Sequence, residues 1–286
     1  MKKYFSLVLF AHTIFAMPFA FIGFFLAITT TPHTFSWQKL LMMVLCMIFA
    51  RNSAMAFNRY LDRGFDAKNP RTTNRDIPAG RLSAKSALTF TVVNCVLFIA
   101  TTFFINPLCF YLSPIALAVV LGYSYTKRFT PLCHLILGLG LSLAPIGAYL
   151  VVTGEFALLP VMFSLAVLCW VSGFDIIYAL QDDEFDRNAN LKSIPAWLGR
   201  KKALQVSTFL HTLCVLFVTI PLMLAPFGWF YVAGIVFFIG LLIYQHSIVK
   251  PNDLSRVNLA FGTTNGIASV VFAIFFLLDV YWRNQF

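Results

Sequence analysis

The chain has 286 residues, of which 59% are hydrophobic and 11% charged, with a mean hydropathy of +0.81 and a formal net charge of +10. No soluble domain of this length needs so much apolar surface, so the composition points to a single membrane domain over residues 1–286, with apolar runs matching the ~20 residues that cross a bilayer. The cations sit in loops between apolar runs, which reads as membrane topology with some attraction to anionic lipid, and argues against a nucleic-acid partner.

Lys2-Lys3 followed by an apolar run imitates a secretory signal. The run continues to about Ile28 without a small-x-small cleavage site, so a retained first helix is expected. Nine spans follow from the apolar pattern, at about 5–29, 38–57, 86–105, 107–126, 131–153, 156–181, 203–224, 227–249 and 258–280. The expected fold is an all-α, multi-pass bundle of nine transmembrane helices around a central cavity. Short junctions at 105–107 and 126–131 imply antiparallel neighbours, and Pro18 and Pro145 imply kinks or cavity-lining breaks.

With the N-terminus inside, all of the 21 Lys and Arg except Lys39 and Arg283 fall at or near the inner face. The positive-inside rule therefore predicts N-in, C-out. The long polar segments, roughly 58–85 and 182–202, then emerge together on the cytoplasmic side. The six cysteines are scattered singly with no CxxC and read as packing residues; the five histidines likewise form no HxxxH or HExxH.

Acids are scarce, 11 Asp and Glu in all, yet they cluster at two span ends. Asn58, Asp62 and Asp66 recur every four residues, a step that advances only ~40° around a helix. Arg51 lies near the same face, deeper in the membrane. Asp175, Tyr178, Asp182 and Asp186 share a second face at i, i+3, i+7 and i+11, while Asp183 and Glu184 point elsewhere and are expected to be solvated. Either cluster alone could be a solvated helix end. Asp175, about two turns inside an apolar span, resists that explanation.

Mg²⁺ takes oxygen ligands, usually one or two carboxylates plus substrate phosphates. Two acidic clusters on one membrane face therefore suggest a shared two-metal site. Nearby cations suggest that the phosphate partner is a diphosphate. Tyr123-x-x-x-Lys127, followed by Arg128, presents polar groups at the inner end of the fourth span. Arg63, Arg71, Arg75, Arg81 and Lys192 lie in the two loops, where topology alone accounts for any single cation.

Three motifs, N-x-x-x-D-x-x-x-D from Asn58, Y-x-x-x-K from Tyr123 and D-x-x-Y-x-x-x-D-x-x-x-D from Asp175, occur in order among nine spans. In this the chain resembles the UbiA superfamily of intramembrane aromatic prenyltransferases over essentially its whole length. Phe174-Asp175-Ile-Ile-Tyr178-Ala, the Asn69-Pro70-Arg71-Thr72 to Asn74-Arg75-Asp76-Ile77-Pro78-Ala79-Gly80 loop and His12-Thr-Ile-Phe15-Ala-Met-Pro18-Phe19 are similar to its 4-hydroxybenzoate polyprenyltransferase-like branch. One departure is Arg59, where many members carry Asp.

The resemblance implies an enzyme of the bacterial cytoplasmic membrane, facing the cytoplasm and working in respiratory quinone biosynthesis. It would transfer a polyprenyl group from polyprenyl diphosphate to an aromatic acid, 4-hydroxybenzoate or a hydroxynaphthoate, with no obligate protein partner. Asn58, Asp62 and Asp66 would hold one Mg²⁺, and Asp182 and Asp186 another. Lys127, with Tyr123, Arg128, Arg63 and Lys192, would face the diphosphate. Asp175, beside Tyr178, would orient the phenol or accept a proton, and Arg51 would bind the acid's carboxylate.

Two rivals remain at this level. Asp182-Asp-Glu-Phe-Asp186 reads as D-D-x-x-D, the diphosphate motif of chain-elongating and terpene synthases, which are mostly soluble. An ion-coupled transporter could use Asp175, but its site would lie near the bilayer midplane rather than at helix ends.

Overall fold

The computed structural model describes residues 15–283. Among these residues the chain is helical throughout and contains no strand, only an isolated antiparallel bridge between Lys250 and Asp253. The principal helices are α1 (Met17–Thr30), α2 (Trp37–Asp66), α3 (Ala84–Phe103), α4 (Pro107–Thr126), α5 (Cys133–Thr153) and α6 (Leu158–Ala179). After a 3₁₀ turn (Leu180–Asp182) come the short α7 (Asp183–Asn188) and α8 (Ile194–Leu198), then α9 (Arg200–Thr219), α10 (Pro221–Leu224) and α11 (Trp229–Ile248). A π-helical turn (Leu259–Thr264) leads into α12 (Asn265–Arg283).

Eight of these segments are long and apolar enough to cross a membrane, and α1 is a shorter apolar helix. Together they agree with the expected nine-helix bundle; the start of the expected first span, residues 5–14, lies outside the described residues. Hydrocarbon offers no partner to a backbone N–H or C=O, so such helices must satisfy their ends internally. Asn106 does this twice: its Oδ1 accepts from the Cys109 N–H (2.8 Å) and its Nδ2 donates to the Leu150 carbonyl (2.9 Å). Ser83 caps α3 by accepting from the Ser86 N–H at 3.0 Å. Gly154 closes α5 with φ +70°, a left-handed conformation that glycine adopts without steric cost.

α6 forms the axis of the bundle, packing on α1, α5 and α9. Its Trp170 is fully buried among Phe19, Phe174 and Phe238, with ring centroids 5.1–5.7 Å away. The indole N–H donates to Asn265 Oδ1 at 3.0 Å, so the polar tip is not stranded in the core. Pro18 starts α1 rather than kinking it, because the missing N–H costs nothing in the first turn. Pro145 lies inside α5, where α1 crosses so closely that a Cβ on Gly23 would stand 2.0 Å from the Pro145 carbonyl oxygen.

α2 continues without a break through Asn58, Asp62 and Asp66, so that motif forms the last turns of a helix, as its spacing implies, although the helix runs beyond the expected span end at 57. α6 tightens into the 3₁₀ turn at Leu180–Asp182, which changes the angular relation of Asp182 and Asp186 to Asp175 and Tyr178. Asp183 is also not solvated as expected. It is 2% exposed and is held by Arg200 (Nε to Oδ2 3.0 Å, Nη2 to Oδ1 2.9 Å) and Arg187 (3.1 Å), a pairing that lets its charge be buried; Glu184 is exposed.

Candidate active site

The ends of α2, α4 and α6 and the start of α5 meet at one end of the bundle around a polar cavity of about 230 Å³. An apolar cavity of about 380 Å³ adjoins it, and Tyr123 and Leu137 border both. The apolar wall on α4 runs from Cys109 to Tyr123, ~21 Å of helix at 1.5 Å per residue.

Each acid of the two motifs meets a basic partner. Asp62 accepts from Asn58 Nδ2 (2.9 Å) and pairs with Arg128 (3.0 Å). Asp66 pairs with Arg75 at 2.6 Å through Oδ1, while its Oδ2 is buried with no hydrogen-bond partner. Asp182 accepts from one edge of the Arg71 guanidinium with both oxygens, Nε to Oδ1 at 3.0 Å and Nη2 to Oδ2, and also accepts from Asn69 Nδ2 at 3.0 Å. Asp186 is fully buried, with Lys127 Nζ 2.7 Å from Oδ1 and Ser193 Oγ donating to Oδ2 at 2.8 Å. The Lys127 contact is an ion pair.

These pairings fix the charge of two loop cations. Burial pulls the Lys127 ammonium down, but Asp186 and then Asp182 outweigh it and hold the group above the usual lysine range. Arg71 is likewise raised: burial opposes its charge, and the bonds to Asp182 and Tyr178 prevail. Arg71 Nη1 donates to the Tyr178 hydroxyl at 2.7 Å and its guanidinium lies 5.0 Å from the ring centre, while Phe261 stacks on that ring at 4.1 Å. Asp175 borders the polar cavity and receives His134 Nδ1 at 2.6 Å.

Asn58, Asp62, Asp66, Tyr123, Lys127, Arg128, Asp175, Tyr178 and Asp182 thus line one cavity, with Asp186 directly behind Lys127. Arg51 lies in the wall of the apolar cavity, its Nε buried without a hydrogen-bond partner. Two expected residues point away. Arg63 donates to the Tyr60 carbonyl (2.6 Å) and lies over the Tyr60 ring, since one residue beyond Asp62 means ~100° around the helix. Lys192 Nζ donates to the Phe129 carbonyl at 3.1 Å; its backbone N–H binds the Lys127 carbonyl at 2.7 Å.

Sequence reading gave no role in the site to Asn69, His134 or Ser193, and treated Arg71 and Arg75 as topology charges. The loop arginines carried a faint signal, being part of the stretch that resembles the family. A lone histidine in an apolar run carried none. Arg59 sits at the same helix end, within electrostatic reach of Asp66, Tyr123 and Tyr178.

Among the described residues no three His, Cys, Asp or Glu side chains converge as a closed metal cage. Mg²⁺ does not need one when substrate phosphates complete its shell. The unpartnered, buried Asp66 Oδ2 and the oxygen-only donor set fit such an ion.

The profile of the UbiA prenyltransferase family matches residues 16–278. The chain belongs to this family. It is therefore an integral membrane protein of a transferase family, and the fold agrees. A UbiA homologue from Aeropyrum pernix K1 superposes with a TM-score of 0.84 at 30% identity, covering 94% of this chain and 98% of that one. A homologue from Archaeoglobus fulgidus, solved with DMAPP and Mg²⁺, shares the fold at a TM-score of 0.77 and 22% identity, with 98% and 99% covered. The 4-hydroxybenzoate octaprenyltransferase of Tolumonas auensis is 29% identical over 245 residues, covering 83% of each chain. That of Shewanella pealeana is 30% identical over 220 residues, 77% and 76% of the two chains.

Proposed function

We propose that this UbiA family member transfers a polyprenyl group from polyprenyl diphosphate to an aromatic acid, 4-hydroxybenzoate foremost, in respiratory quinone biosynthesis. One observation carries the reading: a cavity ringed by paired acids and bases opens beside a long apolar one, matching a substrate with a diphosphate head and an isoprenoid tail. The octaprenyltransferase relatives support the acceptor, and the Archaeoglobus homologue, solved with a prenyl diphosphate and Mg²⁺, supports the donor. The whole of residues 1–286 acts as one domain, with the N-terminus and the site on the cytoplasmic side, needing lipid but no protein partner.

Asn58, Asp62 and Asp66 on one side, and Asp182 and Asp186 on the other, would hold Mg²⁺, which supplies charge neutralisation for the leaving diphosphate. Lys127, firmly cationic, and the arginines Arg71, Arg75 and Arg128 face the same negative charge. As the allylic C–O bond breaks, its electron pair leaves with the diphosphate, and these cations stabilise it. Tyr123, on the shared wall, marks where the head of the donor meets its tail. The apolar lining beyond it keeps water from the allylic cation.

The Arg51 guanidinium, otherwise short of partners in an apolar wall, binds the carboxylate of the aromatic acid. The ring carbon ortho to the phenol forms the new C–C bond with the cation. Asp175, with Tyr178 beside it, takes the ring proton, and the C–H electron pair restores aromaticity.

The test is a product assay on purified protein with Mg²⁺ and one polyprenyl diphosphate, offering 4-hydroxybenzoate and a hydroxynaphthoate in competition. Prenylated 4-hydroxybenzoate is the expected product. A prenylated naphthoate would move the acceptor to menaquinone-type synthesis, and no transfer to either acid would overturn the reading.

A further inference from the structure

Among the polar side chains at the edge of the cavity with no role so far is a histidine. His134 opens the first turn of α5, is 3% exposed, and borders the polar cavity. Both of its ring nitrogens are engaged: Nδ1 lies 2.6 Å from Asp175 Oδ2, and Nε2 lies 3.3 Å from the backbone nitrogen of Ile194. An amide N–H can only donate, so Nε2 accepts and carries no proton. The ring is then the neutral tautomer with its proton on Nδ1, donated to Asp175.

The surroundings hold that ring in place. Ser172 Oγ donates to the His134 carbonyl at 3.1 Å. One turn along α5, Gly138 lets α5 and α6 approach so closely that a Cβ there would meet Ser172 Oγ at 2.3 Å and the Leu168 carbonyl oxygen at 2.5 Å. Ile194 belongs to a segment whose neighbours grip the opposite half of the site. The Lys192 N–H binds the Lys127 carbonyl (2.7 Å), and Ser193 Oγ binds Asp186 (2.8 Å). Residues 192–194 therefore touch the diphosphate-facing lysine, a metal-binding candidate and the histidine in succession.

We infer that His134 is the positioning residue for Asp175. It fixes one carboxylate oxygen by the Nδ1–H bond, leaves Oδ1 to the cavity, and is itself registered to the diphosphate half of the site through residues 192–194. The contact holds Asp175 in the rotamer that receives the ring proton; the histidine takes no proton itself, because Nε2 is committed to an amide. The inference rests on the proposed prenyl transfer and adds a residue to it.

The experiment compares His134→Asn with His134→Gln in the full-length purified protein. An Asn amide places a donor where Nδ1–H stands, whereas a Gln amide reaches toward Ile194 and leaves Asp175 without its donor. Wild-type turnover with the aromatic acid is measured first and by itself tests the reading beneath this one. In the active enzyme, H134Q should lower kcat by roughly 10–100-fold, the usual cost of losing an orienting partner, with KM for the prenyl diphosphate within about twofold. H134N should recover most of that kcat. The inference is overturned if H134Q keeps wild-type kcat, if its loss falls chiefly on KM for the donor, or if H134N is no better than H134Q. Thermal unfolding of both variants reads the fold separately; equal stability with unequal kcat is the expected pattern, and a kcat difference that only tracks stability overturns the positioning role.

Discussion

The two cavities that meet at Tyr123 handle buried charge in opposite ways. In the polar one four of the five motif acids have a cation beside them, Asp62 with Arg128, Asp66 with Arg75, Asp182 with Arg71 and Asp186 with Lys127. In the apolar one Arg51 stands with its Nε unpartnered among Met, Ala, Leu and Val side chains. An unpaired buried charge is costly, whereas a paired and hydrogen-bonded one is tolerated. The contrast supports the two proposed roles: a matched charge array that would exchange partners with a diphosphate, and a single charge that would be partnered by the acceptor's carboxylate.

Breaking the array should give the largest effect. Asp62→Ala or Asp182→Ala is expected to reduce turnover by ~10³-fold or more, the scale of losing transition-state charge stabilisation, while membrane insertion persists. Chelation of divalent ions should have the same effect on the wild type, reversed by added Mg²⁺. Near wild-type turnover in either purified variant would end the metal assignment.

Removing the lone charge should act on binding instead. Arg51→Ala should raise KM for the aromatic acid about tenfold or more, the worth of a charge-assisted hydrogen bond, and leave KM for the donor nearly unchanged. The reverse split would put Arg51 on the isoprenoid side.

A smaller effect probes one pair inside the array. Lys127→Met strands the buried Asp186 carboxylate and should lower the unfolding temperature by roughly 5 °C at neutral pH. The lysine is held above its ordinary range, so the stabilisation is fully present below the unfolded lysine value of ~10.4 and is lost only as pH rises through the elevated folded one. A gap between wild type and variant that closes below pH 9 would contradict this. The smallest change is expected outside the array: Arg63→Ala and Lys192→Ala should keep turnover within about twofold, since both cations are bound to exposed carbonyls away from the cavity. A loss as large as that of Asp62→Ala would mean that the loops rearrange around the substrate.

Much of the molecule could be read from the order of its residues. Runs of apolar residues can do little but span a bilayer, so the helical bundle and its hairpins follow from length and hydropathy. The four-residue spacing of Asn58, Asp62 and Asp66 stays on one face because α2 continues through it. The same argument weakened at Asp182 and Asp186, where the 3₁₀ turn departs from the α-helical period. It failed for Asp183, whose burial depends on Arg200, 17 positions further along the chain.

What periodicity cannot express is which loop returns to which helix end. Arg71 and Asp182 are 111 positions apart, and no spacing rule connects them. The His134–Asp175 bond likewise spans 41 positions and depends on α5 and α6 coming together at Gly138. The sequence by itself determined that this protein lives in a membrane and gathers most of its few acids at one end, because burial and helical period are local properties. Only the tertiary structure decided which cation meets which acid, because a bond across a bundle depends on where separate helices end in space.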